Sequence, residues 1–300
     1  MFTYQFDDTI SPTGGSNLVY GYQRLETPST AAVRQINSEY SPNEAKRTKC
    51  TASPVILGGS FQIDRVIAQT SGAINEMNFQ IKEKTKAGAN YFHNLVINGT
   101  SASTGTGYVP NTFDGLKKIL TGKSTEMTTD IDISTSALLD SNYNALLDEL
   151  DTFIALLAAK PDVLMMNSKM LTKVKSAARR AGYYDRNKDD FGRTVETYNG
   201  IILMDAGQYY NGSTTEDVVS TSAPGSDTYG TTDIYAAKLG LDAFHGISVD
   251  GSKMLKTYLP DLQAPGAVKT GEVELIAGAV LKNSKMAGVL KGIKLLGKTA

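Results

Sequence analysis

The chain has 300 residues, 41% of them hydrophobic and 20% charged, which is enough for one large core or two modest ones. Thirty Lys and Arg against 31 Asp and Glu leave a net charge of −1, so the basic excess of a dedicated nucleic-acid binder is missing and self-association is permitted. A single cysteine, Cys50, excludes an internal disulfide framework.

The first residues, "MFTYQFDD", have neither the basic start nor the apolar centre of a signal peptide, and the longest apolar runs, such as "FIALLAA", are too short to span a bilayer. A soluble intracellular product is therefore expected. Residues 1–25 are rich in Gly, Ser and Thr around "SPTGGSN" and read as an arm. Residues 26–54 read as two strands folded back at Ser41-Pro42-Asn43, a ribbon whose only large apolar residues are Val33, Ile36 and Tyr40. Such a ribbon is marginal alone, so it must lean on something. "VILGGSFQIDRVI" then reads as strand. A helix follows over about 75–98, roughly 35 Å long, with Ile74, Ile81, Gly88 and Leu95 recurring at sevens and Asn98-Gly99 suited to a left-handed cap.

After a Ser/Thr/Gly-rich loop, "FDGLKKIL" is a short helix. Residues 138–158 form the clearest one, with Leu139, Tyr143, Leu146, Leu147, Leu150, Phe153, Ile154 and Leu157 on one face. "DVLMMN" reads as a buried strand. "SKMLTKVKSAARRAG" reads as a helix capped by Asn167 or Ser168 and closed by Gly182. "RTVETYNGIILMD" is a hairpin turning at Asn199-Gly200. Residues 211–232 have a loop composition and are expected to be mobile. Four further strand-like segments end the chain. Helices and strands mix without regular alternation, which predicts an α+β fold.

Chemical motifs are near-misses. Gly122-Lys123-Ser124 lacks the glycine a phosphate-binding loop needs five residues earlier, where Lys117 stands. Asp185, Asn187, Asp189 and Glu196 match calcium-loop spacing, but Asp190 occupies the position that demands glycine. A solvated polar turn is the preferred reading. His93 and His245, the only histidines, have no ligand partners at metal spacing. No catalytic site, cofactor or metal is expected. The basic run Lys169, Lys173, Lys175, Arg179, Arg180, Arg186 and Lys188 reads as a solvated helix face, with contact to a polyanion or an acidic neighbour as the alternative.

Taken in order, "YGYQRLETPSTAAVRQINSEYSPNEAKR", "GGSFQIDRVIA", "FDGLKKILTG", "MNSKML", "ARRAGYY", "FGRTVETY", "LGLDAFHG", "KTYLPD" and "PGAVKTGEVE" resemble stretches of the major capsid proteins of tailed bacteriophages, with the Hong Kong 97-type fold. The resemblance runs across most of the chain and rests on the number and order of these stretches. It implies an N-terminal arm (1–23), an E-loop hairpin (24–63), a peripheral domain (64–129) with its spine helix at about 75–98, an axial domain (130–248), and closing strands (249–300). Of those strands, the last returns to the axial domain.

The resemblance further implies a self-assembling shell of hexamers and pentamers around double-stranded DNA, assembled in the bacterial cytoplasm, without a membrane. Scaffolding, portal and decoration proteins are the implied partners. Many relatives carry residues ahead of the position of Met1, so a shortened or processed chain and a separate scaffold are both open. Lys46 and Lys49 are expected near the ribbon tip, but no motif licenses a covalent cross-link. An encapsulin-like cellular shell is the rival with the same fold, and a monomeric binding protein or hydrolase the rival of another class. The intersubunit contact is expected from Val33, Arg34, Ile36, Tyr40, Lys46, Arg47 and Lys49, with each exposed ion pair worth about 0.5 kcal/mol.

Overall fold

In the computed structural model, residues 6–8, 10–11, 15–16, 19–70, 75–101, 112–182, 185–188, 194–249 and 255–298 are described. Three short strands open the chain: β1 (Phe6–Asp8), β2 (Ile10–Ser11) and β3 (Gly15–Ser16). A hairpin follows, of β4 (Tyr20–Thr27) and β5 (Lys46–Ala52), and then the long β6 (Val55–Asp64). The "RVI" expected to extend that strand turns instead into the short helix α1 (Arg65–Thr70), capped by Asp64 Oδ1, which accepts from Val66 N at 2.8 Å.

The predicted long helix is α2 (Glu76–Asn98), with the Asn75 side chain accepting from Asn78 N. Only its last turns bury side chains: Phe92, Asn94, Leu95, Val96 and Ile97. Ile74 lies outside the described residues, so the seven-residue stripe cannot be followed to its start. Gly99 is not left-handed (φ −56°, ψ 144°); a Cβ there would meet Leu95 O at 2.4 Å and Phe113 O at 2.5 Å, so close approach rather than chirality selects glycine.

Next come α3 (Leu116–Leu120), β7 (Glu126–Thr128), α4 (Ser136–Ala155), β8 (Val163–Met166) and α5 (Ser168–Ala181). The caps of α5 are those read from sequence: Asn167 at the start and left-handed Gly182 at the end. Strands β9 (Asp185–Lys188), β10 (Thr194–Tyr198) and β11 (Ile201–Asp205) follow, the last two joined through Asn199 and Gly200, both at positive φ. The chain closes with β12 (Gln208–Tyr210), β13 (Thr215–Asp217), β14 (Gly230–Ala237), β15 (Phe244–Ser248), β16 (Leu255–Tyr258), β17 (Val268–Leu281) and β18 (Ala287–Leu296).

Two sheets organise the molecule. A seven-stranded sheet runs β7-β18-β14-β8-β11-β10-β9, and a five-stranded one runs β1-β15-β17-β16 with β6 also paired to β17. Alternation along β8 shows why the sheet is two-sided. Leu164 and Met166 join Leu146, Leu150 and Phe153 of α4 and Val174 of α5 in one core. Val163 and Met165 face a second core, with Phe92, Leu95 and Val96 of α2, Leu116 of α3, and Ala277 of β17. Sheet membership divides the chain differently from the expected boundaries. β7 lies before 130 yet belongs to the seven-stranded sheet; β15 lies before 249 yet pairs with β17. β6, expected in the hairpin, pairs with β17 over its whole length. β18 joins the seven-stranded sheet beside β14.

The 211–232 segment, read from sequence as a polar loop, is in part regular structure and in part core. β12 and β13 form a hairpin, and Val218 and Val219, 1% and 3% exposed, enter the core. Asn167 fastens the segment that follows. Its Oδ1 accepts from Met170 N at 2.8 Å, while Nδ2 donates to Val219 O (3.2 Å), Thr221 Oγ1 (2.9 Å) and Thr232 Oγ1 (2.8 Å). Asn167→Ala removes a helix cap, worth about 1 kcal/mol, and strands buried acceptors at about 1–3 kcal/mol. A loss of about 2–4 kcal/mol in urea unfolding is expected, with Asn167→Asp restoring the cap portion only.

Asp233 on β14 is a half-buried carboxyl, pushed above its ordinary range by desolvation, although Gly292 N donates to it at 3.3 Å and Lys117 and Lys291 act the other way. A folded-state value above the unfolded one means that ionisation costs stability as pH rises through it. Asp233→Asn is therefore expected to raise the melting temperature at pH 7, with the gain vanishing near pH 3. An equal gain at both pH values would contradict this account.

Candidate intersubunit interface

The hairpin strands lie outside the turn that sequence suggested. Between β4 and β5, residues 28–45 form a long tip without ladder pairing. The chain reverses at Asn37, at positive φ, where Ser38 N donates to Gln35 O at 3.2 Å; Ser41-Pro42-Asn43 is not the turn. Asn43 Nδ2 donates to Thr30 Oγ1 at 2.8 Å and pins the two limbs. Arg34 stacks over Tyr40 at 5.6 Å and donates to Ser38 O at 3.2 Å. Local bonds thus give the tip a shape without giving it a core.

Its apolar side chains stay in solvent. Val33 is 101% exposed, Ile36 91% and Tyr40 59%. Lys46, Arg47 and Lys49 sit lower down, exposed on β5. Of the expected contact residues, then, Arg34 and Tyr40 are brought together, Val33 and Ile36 project, and the three basic residues line the stem.

Sequence reasoning missed what holds the stem. Alternation sends Tyr20, Tyr22 and Arg24 toward the body and Gly21, Gln23 and Leu25 outward. Arg24 donates from Nη2 to Leu281 O at 2.7 Å and from Nε to Lys282 O at 3.2 Å. Tyr20 meets buried His245 edge-on at 5.8 Å and lies under the Lys282 ammonium at 5.7 Å. Burial pushes the Tyr22 hydroxyl up in pKa, opposed by the Arg24 charge. The Tyr-x-Tyr-x-Arg period was the available signal.

The near-miss motifs resolve structurally. Gly122-Lys123-Ser124 follows the C-terminal end of α3, where Lys123 N donates to Leu120 O at 3.0 Å and Gly122 N to Glu126. Those amides are taken, and the adjoining carbonyl end of a helix repels phosphate. Asp185 and Asn187 lie in β9, paired antiparallel with β10, so the backbone is extended rather than wrapped around an ion; Asp189 and Asp190 lie outside the described residues. Glu196 forms an ion pair with Lys175, and Arg180 reaches Asp140 at 2.6 Å, so part of the basic run is used within the chain. Among the described residues no three His, Cys, Asp or Glu side chains gather as a metal would require, and no helix is long and apolar enough to cross a membrane.

Solved structures share this arrangement of parts. An encapsulin, the holo-SrpI complex from Synechococcus elongatus PCC 7942, aligns with a TM-score of 0.66 at 11% identity, over 99% of this chain and 88% of that one. The capsid of the native GTA particle aligns at 0.56 and 12% identity, over 92% and 86%. The capsid of the Myoviridae phage XM1 aligns at 0.53 and 12%, over 98% and 95%. No curated protein sequence matches the chain. At such identities these likenesses establish the fold, the Hong Kong 97-type arrangement of arm, hairpin, long helix and two sheets. The sequence itself carries the rest: residues 44–202, from the end of the hairpin tip through α5 and into β11, match the SU10 major capsid protein model, and the chain belongs to that family.

Proposed function

We propose that this major capsid protein builds an icosahedral shell of hexamers and pentamers around double-stranded DNA, and that the hairpin tip is the brace between copies. The observation that carries the brace is the exposure of Val33 and Ile36 on an ordered tip. Seating both on a neighbour is worth about 1.5–3 kcal/mol each, against about 0.5 kcal/mol for each exposed ion pair of Arg34, Lys46, Arg47 or Lys49. Apolar seating therefore leads, and the charges select orientation. Sheet membership supports a division into a peripheral unit (β1, β6, α2, β15, β16 and β17) and an axial unit (β7 to β11, α4, α5, β14 and β18). Assembly in the host cytoplasm, and contacts with scaffolding, portal or decoration proteins, belong to the same reading.

Expression of the full chain and imaging of the product tests it. Closed particles protecting DNA from nuclease are expected. A monomer at every concentration and salt would end the shell reading. Closed particles that protect protein cargo and no DNA would favour the encapsulin-like alternative, which the 0.66 alignment motivates.

A further inference from the structure

We propose that Arg24 is a positioning residue that sets the angle at which the hairpin leaves the body; the inference rests on the tip being the brace between copies. The stem of the hairpin is not packed continuously against the chain. Two open clefts border it, one of about 530 Å³ against Asp242 and Asn283 to Lys285 and one of about 630 Å³ against Phe113, Asp114 and Lys118. Arg24 lines both clefts, and its side chain crosses from the stem to the body as a strut where the packing is open.

The strut ends on two consecutive carbonyls, Leu281 O at 2.7 Å and Lys282 O at 3.2 Å, where β17 stops. A planar guanidinium reaches two acceptors at once and so fixes direction as well as distance, which a lysine ammonium does not. Strand β17 is paired with β6 over ten positions, 268–277, and its last residues, 278–281, pair with β15, while Lys282 N donates to Ala243 O at 3.1 Å, so the reference point is itself held by the sheet. Tyr22 steadies the fork, with its hydroxyl 3.3 Å from Nη2 and its ring 5.8 Å from the guanidinium carbon.

Leverage makes the angle matter. Ile36 lies twelve residues beyond Arg24, a reach of at most about 40 Å for extended chain. A swing of about 10° at the stem would then move the tip by up to about 7 Å, enough to lift it off a seat on the next copy. The open clefts leave room for such a swing, and the fork resists it.

The test uses the full chain, kept dilute and unassembled, with Cys50→Ser and spin labels at Ser41→Cys on the tip and Ser141→Cys on α4. The parent is expected to give one narrow distance distribution. Arg24→Met should broaden it at least twofold, with Arg24→Lys in between, and both variants should form particles of mixed size. Equal widths in parent and Arg24→Lys or Arg24→Met overturn the proposal. Should Arg24→Met fail to fold, Arg24→Lys decides by the same width. Broadening with uniform particles would uphold the strut and refute the brace; unchanged width with lost particles would refute the strut and leave the brace standing.

Discussion

A chain carrying Val33→Ser, Ile36→Ser and Tyr40→Ser is expected to fold as the parent does and to form no closed shells. Folding survives because these side chains contribute nothing to either core: Val33 and Ile36 are almost wholly in solvent, and Tyr40 touches Arg34 on its own tip. Surface substitutions of this kind move stability by about 0.5 kcal/mol or less. Assembly fails because the loss recurs at every copy. Two or three apolar seats at about 1.5–3 kcal/mol each disappear from each contact, and the remaining ion pairs at about 0.5 kcal/mol do not replace them. Circular dichroism and a thermal melt report on folding; sedimentation and imaging report on assembly. The comparison variant, Arg34→Ser with Lys46→Ser and Arg47→Ser, should shift the assembly threshold modestly and in a salt-dependent way. Normal particles from the triple apolar variant at the parent's threshold concentration would show that the tip is not the brace.

What the sequence disclosed follows from where periodicity was strong. α5 could be read nearly to the residue because its ends carry Asn167 and Gly182, whose capping chemistry is local; α4 was legible from apolar positions at helical spacing, but it spans Ser136–Ala155 rather than 138–158, because Thr135 caps its start and Leu157 packs from beyond its end. β8 was legible because four apolar residues in a row fit a strand buried on both faces. The hairpin was legible only as a ribbon. Its turn was misplaced because Ser41-Pro42-Asn43 has turn chemistry, whereas Asn37 reverses the chain by tolerating positive φ. Residues 211–232 misled for a compositional reason. Two valines among polar neighbours looked dispensable, yet Val218 and Val219 help fill the second core and Asn167, 52 positions before Val219, ties down the loop behind them. The calcium spacing that opens at Asp185 begins on residues paired as strand β9, which residue types alone do not disclose. In the candidate interface, the exposed residues were visible as apolar letters with no periodic partner. Their anchor was not, because Arg24 finds its acceptors more than 250 positions away.

Two glycines that look alike in sequence should answer alanine in opposite ways. Gly88 lies in the middle of α2, and a Cβ built there meets nothing within 4 Å. Glycine in such a site costs roughly 0.5–1 kcal/mol of helix stability through its freedom in the unfolded chain, so Gly88→Ala is expected to stabilise by about that amount. Gly58 lies in β6 with φ +154°, a conformation that L side chains rarely adopt. Its Cβ would stand 1.9 Å from Val273 O, 2.9 Å from Val273 C and 3.1 Å from Glu274 Cα. All three are backbone atoms of the paired strand, so no rotamer change relieves the clash, and β6 and β17 must part. Backbone strain of about 1–3 kcal/mol adds to the broken pairing, and Gly58→Ala is expected to cost about 3 kcal/mol or more. The damage should reach the hairpin, because β6 continues directly from β5 through Pro54 and β17 carries the carbonyls that hold Arg24. Urea unfolding of both variants, with hydrogen exchange along 55–64 and 268–281, measures the pair. Gly58→Ala should lose protection through both strands and yield few particles, while Gly88→Ala assembles normally. Equal stability for the two variants would mean that β6 and β17 do not approach as closely as the structure places them.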